Sequence, residues 1–258
     1  SIATIWIEGG SDMDSPSKRG LNQILCSLLT RGCEGFDNLS LSDYIESFGA
    51  ELNHDVFEDG MSVSIKSLNA HFTKLFPLLD LIINKPILSE IQFQKVKKST
   101  LNSLRKDKEN PFFVNFEKWR KIVYLKHPYA FNTYGKEKDV LKIKYEDVLF
   151  EYKKFKLRNK YLISNNLKIN GESIESLKFK CIQEKRKNSN EDLTQEMRFI
   201  STNNPTNQTI LMIGNKTCPR SSKDYLLLKV LESHLSYGMS SFLFKLFREK
   251  NGITYDIG

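Results

Sequence analysis

Two stretches of this sequence carry the same order of signals: an apolar strand, a polar loop holding a proline, then an amphipathic helix. In the first, Ile5 lies in a strand over 2–8, Pro16 in the loop, and Leu21 opens the helix 16 positions after Ile5. In the second, Ile210 lies in a strand over 209–214, Pro219 in the loop, and Tyr225 follows Ile210 by 15 positions in the helix. Ile5 and Ile210 are 205 positions apart, so only the opening part of the second copy is present. An internal repeat of this kind restricts the fold to a duplicated unit. Antiparallel strands with helices to one side suit an α+β layer architecture.

Between the copies the signals run in order. Gly9-Gly10 ends the first strand, and 20–31 is a helix with Leu21, Ile24, Leu25, Leu28 and Leu29 on one face and Gly32 at its end. A short helix is expected over 42–48, capped by Ser40 or Ser42. Residues 49–68 read as two strands turning at Asp59-Gly60. Helices are expected over 69–84 with a break near Pro77, over 88–108, over 112–125 and over 140–155, then a strand over 161–169. Residues 127–135 are a loop. Composition shifts to polar and charged over 171–204, most linker-like at 185–192. The helix over 222–235 is expected to turn Leu226, Leu227, Val230, Leu231 and Leu235 inward. The domains implied are 1–175, a linker 176–205, and 206–258.

Composition removes several classes. At 258 residues, 40% hydrophobic and 27% charged, the chain reads as a soluble globular protein. No apolar run reaches the roughly 20 residues that cross a bilayer, so no membrane insertion is expected. The net charge of +8 comes from lysines spread along helices, which is a solvated face rather than a nucleic-acid footprint. Cys26, Cys33, Cys181 and Cys218 form no metal-ligand spacing and no disulfide ladder. His54, His71, His127 and His234 are scattered, and read as surface or core histidines. Ser1 leads straight into a strand, so the natural N-terminus is expected to be missing, and the end at Gly258 looks cut. The compartment stays open, with the cytoplasm preferred.

The last stretch, 236–258, concentrates the chemistry. After a glycine turn, Phe242, Leu243, Leu246 and Phe247 have helical spacing; Asn251-Gly252 stops the helix; Ile253, Tyr255 and Ile257 alternate as in a strand. Arg248 and Tyr255, seven apart, are thus set at one corner, where a guanidinium and a phenol can address one peptide carbonyl. Each residue also has an ordinary explanation, the helix dipole for the arginine and strand packing for the tyrosine.

Five places together resemble the M16 peptidases, the insulinase and mitochondrial-processing-peptidase family. They are Gly9–Ser11 with Gly20-Leu21; the run Phe48-Gly49-Ala50-Glu51-Leu52-Asn53; His127-Pro128-Tyr129 with Gly135; Gly238-Met239-Ser240-Ser241; and Arg248-Glu249-Lys250 with Gly252 and Tyr255. The resemblance covers nearly the whole chain. It implies the LuxS/MPP-like metallohydrolase fold, a mostly antiparallel sheet flanked by helices, duplicated, with the second copy incomplete here. It also implies zinc-dependent peptide hydrolysis on a His-x-x-Glu-His helix, with the Glu as general base and a distal Glu completing the metal site. In register with Gly20-Leu21, the two His positions fall on Gln23 and Ser27, the base position on Cys26, and the distal Glu on Ser103. Gln and Ser are poor zinc ligands, and Cys26 alone does not hold the ion.

What the resemblance implies for Arg248 and Tyr255 is substrate-backbone binding and oxyanion stabilisation across a cleft. The expected role is therefore that of a non-catalytic subunit of an M16-type zinc metalloendopeptidase. This chain is expected to bind no cofactor, and zinc is expected in a His-x-x-Glu-His-bearing partner that hydrolyses the peptide. Residues 53–59 are read as a structural hairpin or as a strand edge for an extended peptide. The alternative is a structural or peptide-holding protein, like the family's respiratory-complex core subunits, in which Arg248 and Tyr255 only pack. Self-association stands as the alternative to a heterodimer.

Overall fold

The computed structural model describes residues 1–165, 198–203 and 209–257. They belong to two compact units, Ser1–Met212 and Ile213–Gly258. The expected strand over 161–169 is present in its first part, and 166–169 lie outside the described residues, as does most of the expected linker.

In the first unit, β1 (Ile2–Glu8), β2 (Glu51–Val56), β3 (Gly60–Lys66) and β4 (Lys160–Ser164) form one sheet in the order β2-β3-β1-β4, antiparallel throughout. The β2–β3 turn falls at the expected Asp59-Gly60, closed by Phe57 N–H donating to Gly60 O at 2.8 Å. Side chains alternate between the faces of a strand, so register decides which of them meet. His54, Val63, Ile5 and Leu162 form one row across the four strands. Helices cover that face. Asp55, Ser62, Trp6 and Tyr161 form a row on the opposite face.

Helix α1 (Leu21–Leu29) is the centre of the helical layer. Its apolar stripe is buried as expected, but the face expected to be polar and outward is buried as well: Asn22 and Cys26 are fully closed off and Gln23 nearly so. A single-helix pattern assigns one inward face; here α5 (Glu90–Glu109) and α8 (Tyr145–Phe155) pack on α1, and β2 packs on it too. The start of α1 is fixed by Asp14, whose carboxylate accepts from Gly20 N at 2.7 Å and from Asn22 N and Nδ2 at 3.0 and 2.7 Å.

The remaining elements follow from local chemistry. Helix α2 (Asn38–Ser47) starts earlier than expected because Asp37, not Ser40 or Ser42, is its cap: Asp37 accepts from Ser40 N at 2.8 Å. Pro77 divides α3 (Asn69–Leu75) from α4 (Leu78–Asn84) as expected. Ser89 caps α5, and Asn110 caps α6 (Pro111–Tyr124). The helix expected over 140–155 is two, α7 (Glu137–Val140) and α8. Lys97 Nζ takes the carbonyls of Leu141 and Ile143, and Asp147 accepts from Lys144 N to begin a new helix.

In the second unit the helical expectation holds and the strand expectation does not. Helix α9 (Tyr225–Ser236) and a π-helical segment (Phe244–Lys250) are present. Residues 213–214 and 253–257 of this unit are not strands, and neither are 209–212 ahead of it. A period-2 pattern makes a strand only where a neighbour offers a ladder, and no strand lies among the described residues of this unit. The side chains expected inward on α9 are instead largely exposed, Leu226, Leu227, Val230 and Leu231 at 50–71%. No sheet is present within the unit for them to cover.

A buried ion pair ties together the described part of the first unit. Arg158, just before β4, donates Nη2 to Glu151 of α8 and Nη1 to Gly9 O at 2.9 Å, with both charged side chains at 7% exposure or less. Glu151→Ala leaves the guanidinium desolvated without its counter-charge. The expected loss is about 3–5 kcal/mol, read as the shift in urea unfolding, with Glu151→Gln milder. Burial also pushes Asp14 from its ordinary 3.8 up to about 6, against the opposing hydrogen bonds from Asn22 and Gly20. Its proton is then held more tightly in the folded chain than in the unfolded one. The stability this adds is complete below pH 3.8 and is lost as pH rises through about 6. At roughly 1.4 kcal/mol per unit, wild type should lose on the order of 2–3 kcal/mol across that window relative to Asp14→Asn. Urea unfolding of both proteins at pH 4 and pH 7.5 checks it.

Candidate functional site

Two regions hold the residues singled out by the sequence, and each is described by itself. The first is the middle of α1. Gln23 and Cys26 lie in the packed layer, while Ser27 is half-buried. Cys26 Sγ lies 3.9 Å from the carbonyls of Asp55 and Ser62. Burial pushes its thiol up to about 12, with the charge of Asp55 adding to the effect. A thiol so placed stays protonated and is no thiolate ligand. Gln23 and Ser27 are neutral oxygen donors, and Ser103 lies on α5, which packs on α1. This donor set does not fit a zinc ion. Among the described residues no three His, Cys, Asp or Glu side chains converge as a metal site requires.

What the sequence did not reveal is the partner of Ser27. The imidazole of His54 reaches it from β2, with Nε2 3.0 Å from Ser27 Oγ and Nδ1 3.3 Å from Thr30 Oγ1. Burial first, then the charge of Arg31, holds the His54 pKa below its usual value. The alternation of β2 carried the signal: Leu52, His54 and Val56 share the helix-facing side.

The motif glycines flank this region. Gly20, at φ +96°, is so close to the 134–135 turn that a Cβ would fall 2.4 Å from Tyr134 O. Gly135, at φ +77°, is matched to it, with a Cβ falling 2.1 Å from Arg19 O. Both need a positive φ and the absence of a side chain. Nearby, Tyr129 of the His127-Pro128-Tyr129 turn offers its carbonyl to Arg120 Nε at 2.7 Å, and its hydroxyl lies 3.3 Å from Asp59. Arg120 is itself paired with Glu58. The turn is thereby tied to the β2–β3 hairpin.

The second region is the 244–257 corner. Arg248 and Tyr255 are brought together there, but by guanidinium to backbone: Arg248 Nη1 donates to Tyr255 O at 2.9 Å. The guanidinium also lies 4.8 Å from the Phe244 ring centroid. Gly252 N and Ile253 N donate to Arg248 O and Phe247 O, at 3.1 and 2.9 Å, and these bonds close the turn in place of a strand ladder. Gly252, at φ +57°, makes the reversal. Both side chains are exposed, Tyr255 at 69%. Gly238, at φ +82°, turns the chain ahead of the segment, and Ser241 N donates to Gly238 O at 3.1 Å.

Comparison with known proteins bears on both regions. Residues 1–137 match the family model described as Insulinase (Peptidase family M16), and residues 165–258 match that described as Peptidase M16 inactive domain. A crystal structure of a peptidase M16 inactive domain from Pseudomonas fluorescens is similar, with a TM-score of 0.73 at 19% identity over 98% of this chain and 63% of that one. So is the crystal structure of a protease from Helicobacter pylori, with a TM-score of 0.74 at 16% identity over 97% and 63%. The chain thus spans 63% of the length of each. No curated protein matches it by sequence. Among the described residues no helix is long and apolar enough to cross a membrane.

The burial of position 26 has a direct readout. Iodoacetamide applied to the folded protein at pH 8 should leave Cys26 and Cys33 unmodified, since burial pushes their thiols up to about 12 and about 11. Cys218, which is partly exposed, should react. Peptide mapping after denaturation scores each site, and rapid modification of Cys26 would show that α1 is open.

Proposed function

The chain belongs to the insulinase family, peptidase family M16, and we propose that it acts as a non-catalytic subunit of a zinc metalloendopeptidase of that family. In this reading a partner subunit bears the intact His-x-x-Glu-His motif and its zinc, and hydrolyses the peptide. This chain shapes the substrate cleft and lends Arg248 and Tyr255. The match of 165–258 to the inactive-domain model supports a non-catalytic role, as does an α1 whose residues do not suit zinc.

The observation that carries the reading is the corner at 244–257. Arg248 binds the Tyr255 carbonyl, so the turn fixes where the two residues lie relative to each other while both remain exposed. Preorganised donors of this kind stabilise an oxyanion without reorganising during the reaction. The guanidinium supplies charge and further N–H donors, and the phenol an O–H. The edge strand β2 adds a second element, because the outer side of an edge strand can pair with an extended peptide.

The contact between Arg248 and the Phe244 ring favours the alternative, in which the pair only packs within a structural or peptide-holding protein. Co-purification separates the two readings. Recovery with a His-x-x-Glu-His-bearing subunit supports the shared enzyme, and a stable homodimer supports the alternative.

The decisive test is kinetic. In the reconstituted pair, Arg248→Ala or Tyr255→Phe should lower kcat by ~10²–10³, the cost of removing one oxyanion donor. Unchanged activity in both variants would overturn the proposal. Metal analysis of the isolated chain should find no stoichiometric zinc, and the isolated chain should cleave no peptide.

A further inference from the structure

The cluster of Ser27, His54 and Thr30 has one hydrogen-bond order in which all three donors meet an acceptor. Thr30 Oγ1 has one proton, and it goes to the carbonyl of Ser27 at 3.1 Å. Toward His54 Nδ1, at 3.3 Å, the same oxygen therefore accepts, so Nδ1 carries the ring proton. Neutral His54 then has a bare Nε2, and it faces Ser27 Oγ at 3.0 Å. The serine hydroxyl donates to it. Burial, with Arg31 next in weight and Asp55 opposing, favours this neutral imidazole.

We propose that Ser27 is a reactive nucleophile, with His54 as its general base and Thr30 as the residue that sets the imidazole tautomer. The arrangement has the parts that an activated serine needs: a hydroxyl within hydrogen-bond reach of a base, and a third group that orients the base. Ser27 and His54 are both half-buried rather than sealed, unlike Cys26 beside them. Arg31, four residues beyond Ser27, contributes a positive field at the same place. The substrate class is carboxylic esters, whose leaving groups are better than the amine of a peptide.

The step balances without a cofactor. Ser27 Oγ bonds to the carbonyl carbon as its proton passes to His54 Nε2. The C–O bond to the leaving alkoxide breaks, and the alkoxide takes that proton. Water then releases the acyl group by the same path in reverse. With a fluorophosphonate, the Oγ–P bond forms, the P–F bond breaks, fluoride leaves, and the proton stays on His54. This chemistry belongs to the chain alone and does not depend on a zinc-bearing partner.

The test is labelling of the folded 258-residue chain with a biotinylated alkyl fluorophosphonate, mapped by mass spectrometry of the Ser27 peptide. One adduct on Ser27 is expected, absent from the urea-unfolded chain and from Ser27→Ala. His54→Gln should slow labelling by ~10²–10⁴, the range for loss of a general base. Thr30→Val, which keeps the shape and removes the oxygen, should also slow it, and Thr30→Ser should restore it. A role confined to holding β2 against α1 would change urea unfolding without giving an adduct. Absence of a Ser27 adduct in the folded wild type overturns the proposal on its own, whatever the variants do. So does an adduct whose rate is unchanged in folded His54→Gln.

Discussion

The packing of α5, α8 and β2 on α1 is the constraint from which the rest of the first unit follows. A helix at a protein surface leaves one face to solvent. Here α5, α8 and β2 all pack on it, so every polar group it carries has to be neutral, paired or stripped of charge. Asn22 is bonded to Asp14, Cys26 is a protonated thiol, and Ser27 is bonded to His54. The approach of other backbone is equally tight. Gly20 and Gly135 lie against each other's neighbouring carbonyls with no room for a Cβ, and this fixes where α1 begins. The Glu151–Arg158 pair joins α8 to the end of β1 through the Gly9 carbonyl.

The legible parts of the fold were those decided by local chemistry. The first strand, the hairpin turning at Asp59-Gly60 and the break at Pro77 all follow from residues that act within a few positions of themselves. The parts misread depend on what lies across the fold. Lys97, on α5, binds the two carbonyls where a continuous helix over 140–155 would otherwise run. The polar side of α1 looks exposed from its own spacing and is buried by the sheet and by two helices far away in sequence. The corner that brings Arg248 near Tyr255 was readable because Gly252 sets the turn, although the bond runs to the tyrosine's carbonyl and no strand carries Tyr255. The Ser27–His54 contact was not readable, because it joins residues 27 apart on different elements.

The second unit shows the same dependence from the opposite side. Its helix has the spacing of an inward face, yet that face is exposed, and its alternating segment at 253–257 forms no ladder. Apolar periodicity records the surface a segment is built to cover. It does not supply that surface. The 244–257 corner is ordered without a sheet because its bonds are local: Arg248 to the Tyr255 carbonyl, Ile253 to Phe247, Gly252 to Arg248. A corner built on such contacts persists where a strand pattern cannot.

The residues at positions 26 and 27 of α1 act as a set. Position 26 is wholly enclosed, and a glutamate there would place a carboxylate in that enclosure near the charge of Asp55, which already raises the thiol. An unpaired buried charge costs several kcal/mol. Cysteine fills the position without charge. Serine at 27 in turn leaves the imidazole of His54 a hydroxyl to accept from, in a place where a second imidazole on α1 would compete for the same space. Restoring any one residue of a metal motif would therefore strain this packing without making a site.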